Sequence, residues 1–345
     1  MELEYKGSED DVQDIKGILA SQNPPIKKGV EIMGLHRIQK KWVYVEEELA
    51  CDKDGERKDI IYLSDNPYRV TLLKEKSLTS PKLDQILECL FDFNAEDVVY
   101  PLLGFCFACF VKERIPSVIK KRQNPLLVCW GEKGSGKTTT LMVLIKRLFG
   151  IHNPPENIAD PTKFAFTRMG SSSNLTPLLF DEHKPGTMSD KQKKNISSMI
   201  KSVYNQYRFT RGKPNLGLVE WTYTAPVVIS GEMGITEHAI DDRIIETYFS
   251  RKKIQNREGF FRELAEVSLG ALGKDFLLWT LSLEQKQIKQ TWLEQMENVD
   301  NELENRFKEN TAHARLGLAL FSQYLEIQGK YRPCQAGPCV VFPVS

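Results

Sequence analysis

Leu126-Leu-Val-Cys-Trp-Gly-Glu-Lys-Gly-Ser-Gly-Lys-Thr138 decides the fold of this chain. Its first five residues form an apolar run of buried-strand character. The remainder, Gly131 to Thr138, matches Gly-x-x-x-x-Gly-Lys-Ser/Thr in full. Thr139-Thr-Leu-Met-Val-Leu-Ile-Lys-Arg-Leu-Phe149 then reads as a helix, ended by Gly150. In a strand–glycine loop–helix unit, backbone N–H groups converge on phosphate oxygens at the positive end of the helix. The candidate nucleotide-binding set is therefore Gly131, Glu132, Lys133, Gly134, Ser135, Gly136, Lys137, Thr138 and Thr139. Lys137 is expected to neutralise the β- and γ-phosphates of ATP, and the Thr138 hydroxyl to ligate Mg²⁺.

Working outward, Leu178-Leu-Phe180 is a second apolar strand, ending in Asp181-Glu182. Strand ends converge at the ligand in a doubly wound sheet. Asp181 there is expected to join the Mg²⁺ shell, and Glu182 to polarise a water for in-line attack on the γ-phosphate. The polar stretch Gly170 to Pro177 enters this strand as a loop. A third strand, Pro226-Val-Val-Ile229, ends in Ser230-Gly-Glu232. Either Ser230 or Glu232 is a candidate for contact with the γ-phosphate or the attacking water. Ala239-Ile-Asp-Asp-Arg243 precedes a last strand, Ile244 to Phe249. Arg243 suits a charge-stabilising role toward a γ-phosphate of the same subunit or of a neighbour; the alternative is an ion pair with Asp241 or Asp242. Tyr207 to Pro214 is basic, contains glycine and adjoins aromatics. It reads as a loop touching nucleic-acid phosphates through Arg208, Arg211 and Lys213, as a contact to a neighbouring subunit, or as a solvated turn.

Residues 1–78 read as a small β-rich N-terminal module with strands from Lys28, Lys41 and Asp59 and a polar turn at Asp52 to Glu56. Residues 79–122 form a helical lead-in. Ser80 suits a cap, Pro81 the first turn, and a second helix runs from Asn94 through Phe110 with a bend at Pro101. Residues 123–254 are the nucleotide-binding core, 255–328 a helical lid or C-terminal domain, and 329–345 an irregular tail. The fold class is α/β: a parallel sheet flanked by helices.

Across its 345 residues the chain is 41% hydrophobic and 27% charged, with a net charge of +1. That balance excludes a uniformly basic nucleic-acid binder, although basic clusters occur at 112–122, 191–194, 208–213 and 251–253. They read as solvated surface that permits DNA contact. No apolar run reaches the length of a membrane span, and Met1-Glu-Leu-Glu-Tyr-Lys lacks signal-peptide character, so the chain reads as cytoplasmic with no membrane partner. Seven cysteines make no disulfide framework. Cys106 and Cys109 lie in an apolar stretch and read as core thiols, not as a redox or zinc pair.

The order phosphate loop, hydrophobic strand with Asp-Glu, polar strand end, Arg and helical lid resembles AAA+ and superfamily III-type P-loop ATPases. More narrowly it resembles the helicase-like ATPases of phages, plasmids and integrated mobile elements, which are primase-associated relatives of MCM-like helicases. Leu102-Leu-Gly-Phe-Cys-Phe-Ala108, Trp130 to Thr138, Ser172 to Pro185, and Ala225 to Glu232 with Ala239 to Arg243 carry the resemblance. It implies an ATP-dependent DNA helicase or translocase acting as a homo-oligomeric ring, often a hexamer, on single-stranded or forked DNA. Lys137, Thr138, Asp181 and Glu182 match the nucleotide and catalytic positions, and Arg243 falls where these proteins carry an Arg acting on the next subunit. Ser230-Gly-Glu stands where many relatives carry Asn. No primase motif is present, so priming would come from a separately encoded chain. A different class also fits the same motifs: an ATP-binding switch or loader that assembles or regulates a partner without unwinding DNA.

Overall fold

The computed structural model describes residues 8–22, 26–64, 68–119, 123–212, 218–235, 237–300 and 302–330. Helix α1 (Glu9–Ser21), not anticipated from the sequence, precedes the β-rich module. There β1 (Lys28–Val30) pairs in parallel with β6 (Ile60–Tyr62). An antiparallel meander joins β2 (Gly34–Ile38), β3 (Lys41–Val45), β4 (Ala50–Asp52) and β5 (Gly55–Glu56). The polar turn at 52–56 is the β4–β5 hairpin, and β2 and β4 are additions to the sequence reading. The module is bolted to the core by backbone-like contacts. Asn174 accepts from Leu35 N and donates to Leu35 O at 2.7 and 2.8 Å, and Met33 bridges Ser173.

Helices α2 (Ser80–Leu90) and α3 (Glu96–Cys109) follow. The N-cap of α2 is Thr79, one residue before the expected Ser80, with proline in the first turn. Pro101 lies inside α3 as anticipated. Lys112 and Arg114, expected at the solvated surface, are both buried. Arg114 donates to the carbonyls of Thr280 and Leu283 at a helix C-terminus, and its guanidinium lies 5.6 Å from the Trp42 ring.

The central sheet is wholly parallel, in the order β13-β7-β12-β9-β8. Its strands are β7 (Leu126–Gly131), β8 (Glu156–Asn157), β9 (Leu178–His183), β12 (Val227–Gly231) and β13 (Ile244–Phe249). β7, β9, β12 and β13 are largely buried and carry near-continuous apolar runs, which makes them legible in the sequence, whereas β8 is an exposed two-residue edge strand that the sequence does not signal. Helix α4, over residues 137–148 with a π-helical middle, leaves β7. Helices α5 (Lys163–Gly170) and α6 (Asp190–Tyr204) connect the next strands. A two-stranded antiparallel arm, β10 (Arg208–Gly212) with β11 (Leu218–Thr222), projects between α6 and β12.

Helices α7 (Glu258–Glu266), α8 (Leu269–Ser282), α9 (Gln285–Glu297) and α10 (Asn305–Ile327) complete the described chain. Helix α10 packs along α3 with backbones almost touching: a Cβ on Gly317 would lie 1.9 Å from Gly104 O. Phe107 stacks on Phe321 at 3.9 Å between ring centroids, with Phe276 edge-on to both. Thus the lead-in and C-terminal helices bury their apolar faces against each other. Cys106 and Cys109 are fully buried in this packing, where desolvation pushes both thiols up, as expected of core cysteines. On α7, Leu264 is buried while Phe260 is exposed. No helix among the described residues is long and apolar enough to cross a membrane. The tail beyond Lys330 lies outside the described residues.

Candidate active site

Because all five strands are parallel, their C-terminal ends share one edge. The register puts Gly131 beside Phe249, and Gly231 between Trp130 and His183. The loop after β7 therefore opens at the same edge as Asp181, Glu182 and Glu232. Gly131 (φ 138°) has no room for a side chain, since a Cβ would sit 2.0 Å from Phe249 O. Gly136, at φ 88°, is the N-cap of α4, and nothing lies within 4 Å of where its Cβ would be. That bare backbone is the close approach an anion needs.

The outer side of the loop is fixed by groups from beyond β13. Arg251 N donates to the Glu132 carboxylate at 2.8 Å, and Arg251 Nε to Lys133 O at 2.9 Å. Glu132 is thus an anchor of the loop's shape. Ser135 is buried and donates to Glu132 O at 2.7 Å. Lys137 turns its ammonium onto Gly131 O and Glu132 O at 2.9 and 2.6 Å. Burial lowers its pKa, opposed by the negative charges of Glu232 and Asp181. A phosphate at the loop would restore what desolvation takes away.

Thr138 Oγ1 donates to Asp181 Oδ2 at 2.7 Å across 43 residues of sequence. Two oxygens in adjacent positions of an octahedral Mg²⁺ shell, each about 2.1 Å from the ion, lie about 3 Å apart. The pair therefore fits the donor type and spacing such an ion takes. Among the described residues no cluster of three His, Cys, Asp or Glu is set to hold a metal by itself. A cation here would draw its other ligands from phosphate and water, which is the habit of Mg²⁺.

Glu182 sits at φ 64°, a left-handed conformation unusual for glutamate, where β9 turns out of the sheet. Strain of about 1–3 kcal/mol at such a position is typical of functional sites. Its carboxylate is ion-paired with Lys184, whose ammonium also lies 3.4 Å from Glu232. Those carboxylates raise the Lys184 pKa, chiefly through the hydrogen bond that its ammonium donates to Glu182. Lys184 is the site residue that the sequence reading missed. The only local signal was a cation two residues beyond the acidic pair. Of the two candidates at the end of β12, Glu232 reaches the loop's electrostatic field and Lys184. Ser230 is closed over within the sheet, its hydroxyl with no hydrogen-bond partner among the described residues.

Arg243 stands elsewhere. Its backbone accepts from Leu126 N, and Ile244 pairs with Leu126, so it lies at the N-terminal edge of the sheet. The six-residue length of β7 separates that edge from Gly131, about 17 Å at 3.3 Å per residue. The Arg243 backbone therefore stands at the opposite end of β7 from the nucleotide loop of its own subunit. The guanidinium pairs with Asp242, as the ion-pair alternative expected, and lies 5.6 Å from the Tyr204 ring. Arg306 of α10 pairs with the same carboxylate.

The segment read as a basic loop is the exposed arm β10–β11. Arg208 and Arg211 lie on β10, while Lys213 falls outside the described residues. Arg211 stacks over Phe164 at 4.8 Å and Arg168 over Trp221 at 5.7 Å. Phe164 and Phe209 both contact Trp221.

No family model matches the sequence, and no curated protein sequence does either. The chain superposes on the structure described as "SCCmec type IV Cch - active helicase" with a TM-score of 0.61 and 13% identity, over 92% of this chain and 60% of that one. It therefore spans 60% of that helicase's length. The "A form apo structure of NrS-1 C terminal region" aligns at 16% identity over 94% and 83% of the two chains, with a TM-score of 0.35. The JCV helicase aligns at 11% identity over 70% and 67%, with a TM-score of 0.31. The last two overlaps are too loose to carry an argument. The first establishes a helicase-like α/β fold, in agreement with the motif order.

Proposed function

We propose that this chain is an ATP-dependent DNA translocase or helicase that works as a ring. One observation carries the ATPase part: a glycine loop, Lys137, the Thr138–Asp181 pair and Glu182 meet at one sheet edge. In this reading the loop backbone and Lys137 hold the triphosphate, with the ammonium moving from two carbonyls to β- and γ-oxygens. Thr138 and Asp181 would hold a Mg²⁺ ion, which would supply charge neutralisation to the phosphates. Glu182 accepts a hydrogen bond from water and takes its proton as the water oxygen bonds to phosphorus. The bond to the ADP oxygen breaks, and ADP and phosphate leave. Lys184 tethers Glu182 until nucleotide enters, and Glu232 is its second anchor.

The basic, aromatic arm supports contact with single-stranded DNA, because ring faces stack on bases and guanidiniums meet phosphates. The position of Arg243 at the opposite edge supports action on a neighbour's nucleotide. The test is ATP turnover with and without single-stranded DNA, with particle size measured in ATP. DNA-stimulated turnover, strand separation and an ATP-dependent oligomer support the motor. Assembly with no DNA effect supports the switch or loader instead.

A further inference from the structure

Helix α6 turns Ile196, Met199, Ile200 and Val203 toward the core. Its opposite face carries Lys193, Lys194 and Lys201, and with Lys163 at the start of α5 these line a cavity of about 680 Å³. Three serines lie between the lysines, and Tyr207 closes the end beside the arm. Glu237 is the sole acid in the lining, and it is spent on Lys201, 2.8 Å away. Lys163, Lys193 and Lys194 form no ion pair among the described residues. A concave surface with three uncompensated ammonium groups concentrates positive potential and selects an anion of matching size.

What adjoins the cavity identifies the anion. Lys163 is followed by Phe164, 39% exposed and edge-on to Trp221. Tyr207, 55% exposed, leads into β10 with Arg208, Phe209 and Arg211. Phosphate-seeking lysines therefore border a cluster of rings and guanidiniums in which Phe164 and Tyr207 are exposed, while Trp221 is half-buried and meets Phe164 edge-on. A chain that alternates phosphates with flat bases matches both halves at once, while an isolated phosphate matches only the first. The cavity is also remote from the nucleotide loop at its lower end. Tyr204, at the C-terminus of α6, accepts from Asn124 N, just before the N-terminal end of β7.

We infer that this cavity binds the phosphodiester backbone of an unpaired nucleic-acid strand whose bases meet the exposed rings of Phe164 and Tyr207. The inference rests on the DNA reading above and deepens it: the lysines of α5 and α6, as well as the arm, track the strand.

The test is salt-dependent fluorescence anisotropy of a labelled oligothymidylate with the full chain, comparing wild type with K163A/K193A/K194A. Each single-strand phosphate contact contributes about 0.7 to the slope of log affinity against log salt, so losing three lowers the slope by about 2. Over a fourfold rise in salt, the variant then loses roughly 20-fold less affinity than wild type. K163R/K193R/K194R keeps the charge and should keep the slope. An alanine variant with unchanged slope and affinity overturns the inference while leaving DNA binding by the arm intact. Equal loss in the arginine variant makes the lysines structural and also overturns it. Wild type that fails to bind the oligonucleotide refutes the DNA reading itself. An unchanged slope with loss of ATP-dependent assembly assigns the cavity to a neighbouring copy's triphosphate, against the inference.

Discussion

Glu182→Gln removes a proton acceptor while keeping the size and hydrogen-bonding reach of the side chain. A positioned general base contributes about 10²- to 10⁴-fold to rate, which at 1.36 kcal/mol per tenfold is roughly 3 to 5 kcal/mol of barrier. Stability should barely change. The partner of Glu182 is Lys184, and the two side chains are 52% and 36% exposed, so their ion pair is worth about 1 kcal/mol at most. The variant should bind ATP with wild-type affinity and melt within about 3 °C of wild type. Its single-turnover hydrolysis should slow at least 100-fold, by the same general-base scale. A second substitution tests the backbone. At φ 64° glutamate bears about 1–2 kcal/mol that glycine does not, while glycine gives up about 0.5–1 kcal/mol in the unfolded chain. Glu182→Gly should therefore be at least as stable as Glu182→Gln, although equally inactive. Hydrolysis within tenfold of wild type in the Gln variant, or loss of ATP affinity alongside rate, would refute Glu182 as the water-orienting base. A Gly variant melting well below the Gln variant would refute the strain argument.

Lys137→Ala should abolish turnover and weaken nucleotide binding, measured by titration with a fluorescent ATP analogue; wild-type kcat/KM would remove Lys137 from the site. Arg243→Ala and Lys137→Ala should each be nearly inactive alone, and mixing them should restore part of the ATPase rate, because some interfaces then combine an intact Lys137 with an intact neighbouring Arg243. Normal hydrolysis by Arg243→Ala with DNA present would show that its pairing with Asp242 is structural only. Glu46 is buried and accepts from Leu73 N, and desolvation raises its pKa from 4.5 to about 7. The folded state thus holds a proton that the unfolded chain has already released, so this contribution to stability is present below about pH 4.5 and falls as pH rises toward 7. Glu46→Gln should flatten that dependence and stabilise the protein above pH 7, by an amount of order 3 kcal/mol from the 1.36 kcal/mol per unit scale. Denaturant melts at pH 5 and 8 check it. Gly317→Ala should cost about 1–3 kcal/mol or more, since its Cβ would meet Gly104 O at 1.9 Å and Ala108 N at 2.6 Å. Gly186→Ala, in open space, should stay within about 0.5 kcal/mol in the same melts.

The sequence by itself determined the parts whose causes are local. The loop from Gly131 to Thr138 was legible because its glycines, lysine and threonine do their work within eight consecutive residues. The strands β7, β9, β12 and β13 were legible because burial on both faces demands unbroken apolar runs. The arm β10–β11 was not. Its exposed strands impose no apolar alternation, so Arg208 to Gly212 looked like a loop. Nor did the sequence separate Ser230 from Glu232, since they share a strand face and only the point where β12 ends decides which is sealed in the sheet. Only the tertiary structure decided which distant residues share an edge. Parallel pairing brings Asp181 to Thr138 and turns Lys184 onto Glu182 and Glu232, while the same register puts Arg243 about 17 Å away. It also joined two helical stretches read as separate, because Gly104 and Gly317, some two hundred residues apart, have no side chains to hold α3 and α10 apart. Periodicity reports which face of an element is apolar; which element covers that face is settled by contacts between residues far apart in the chain.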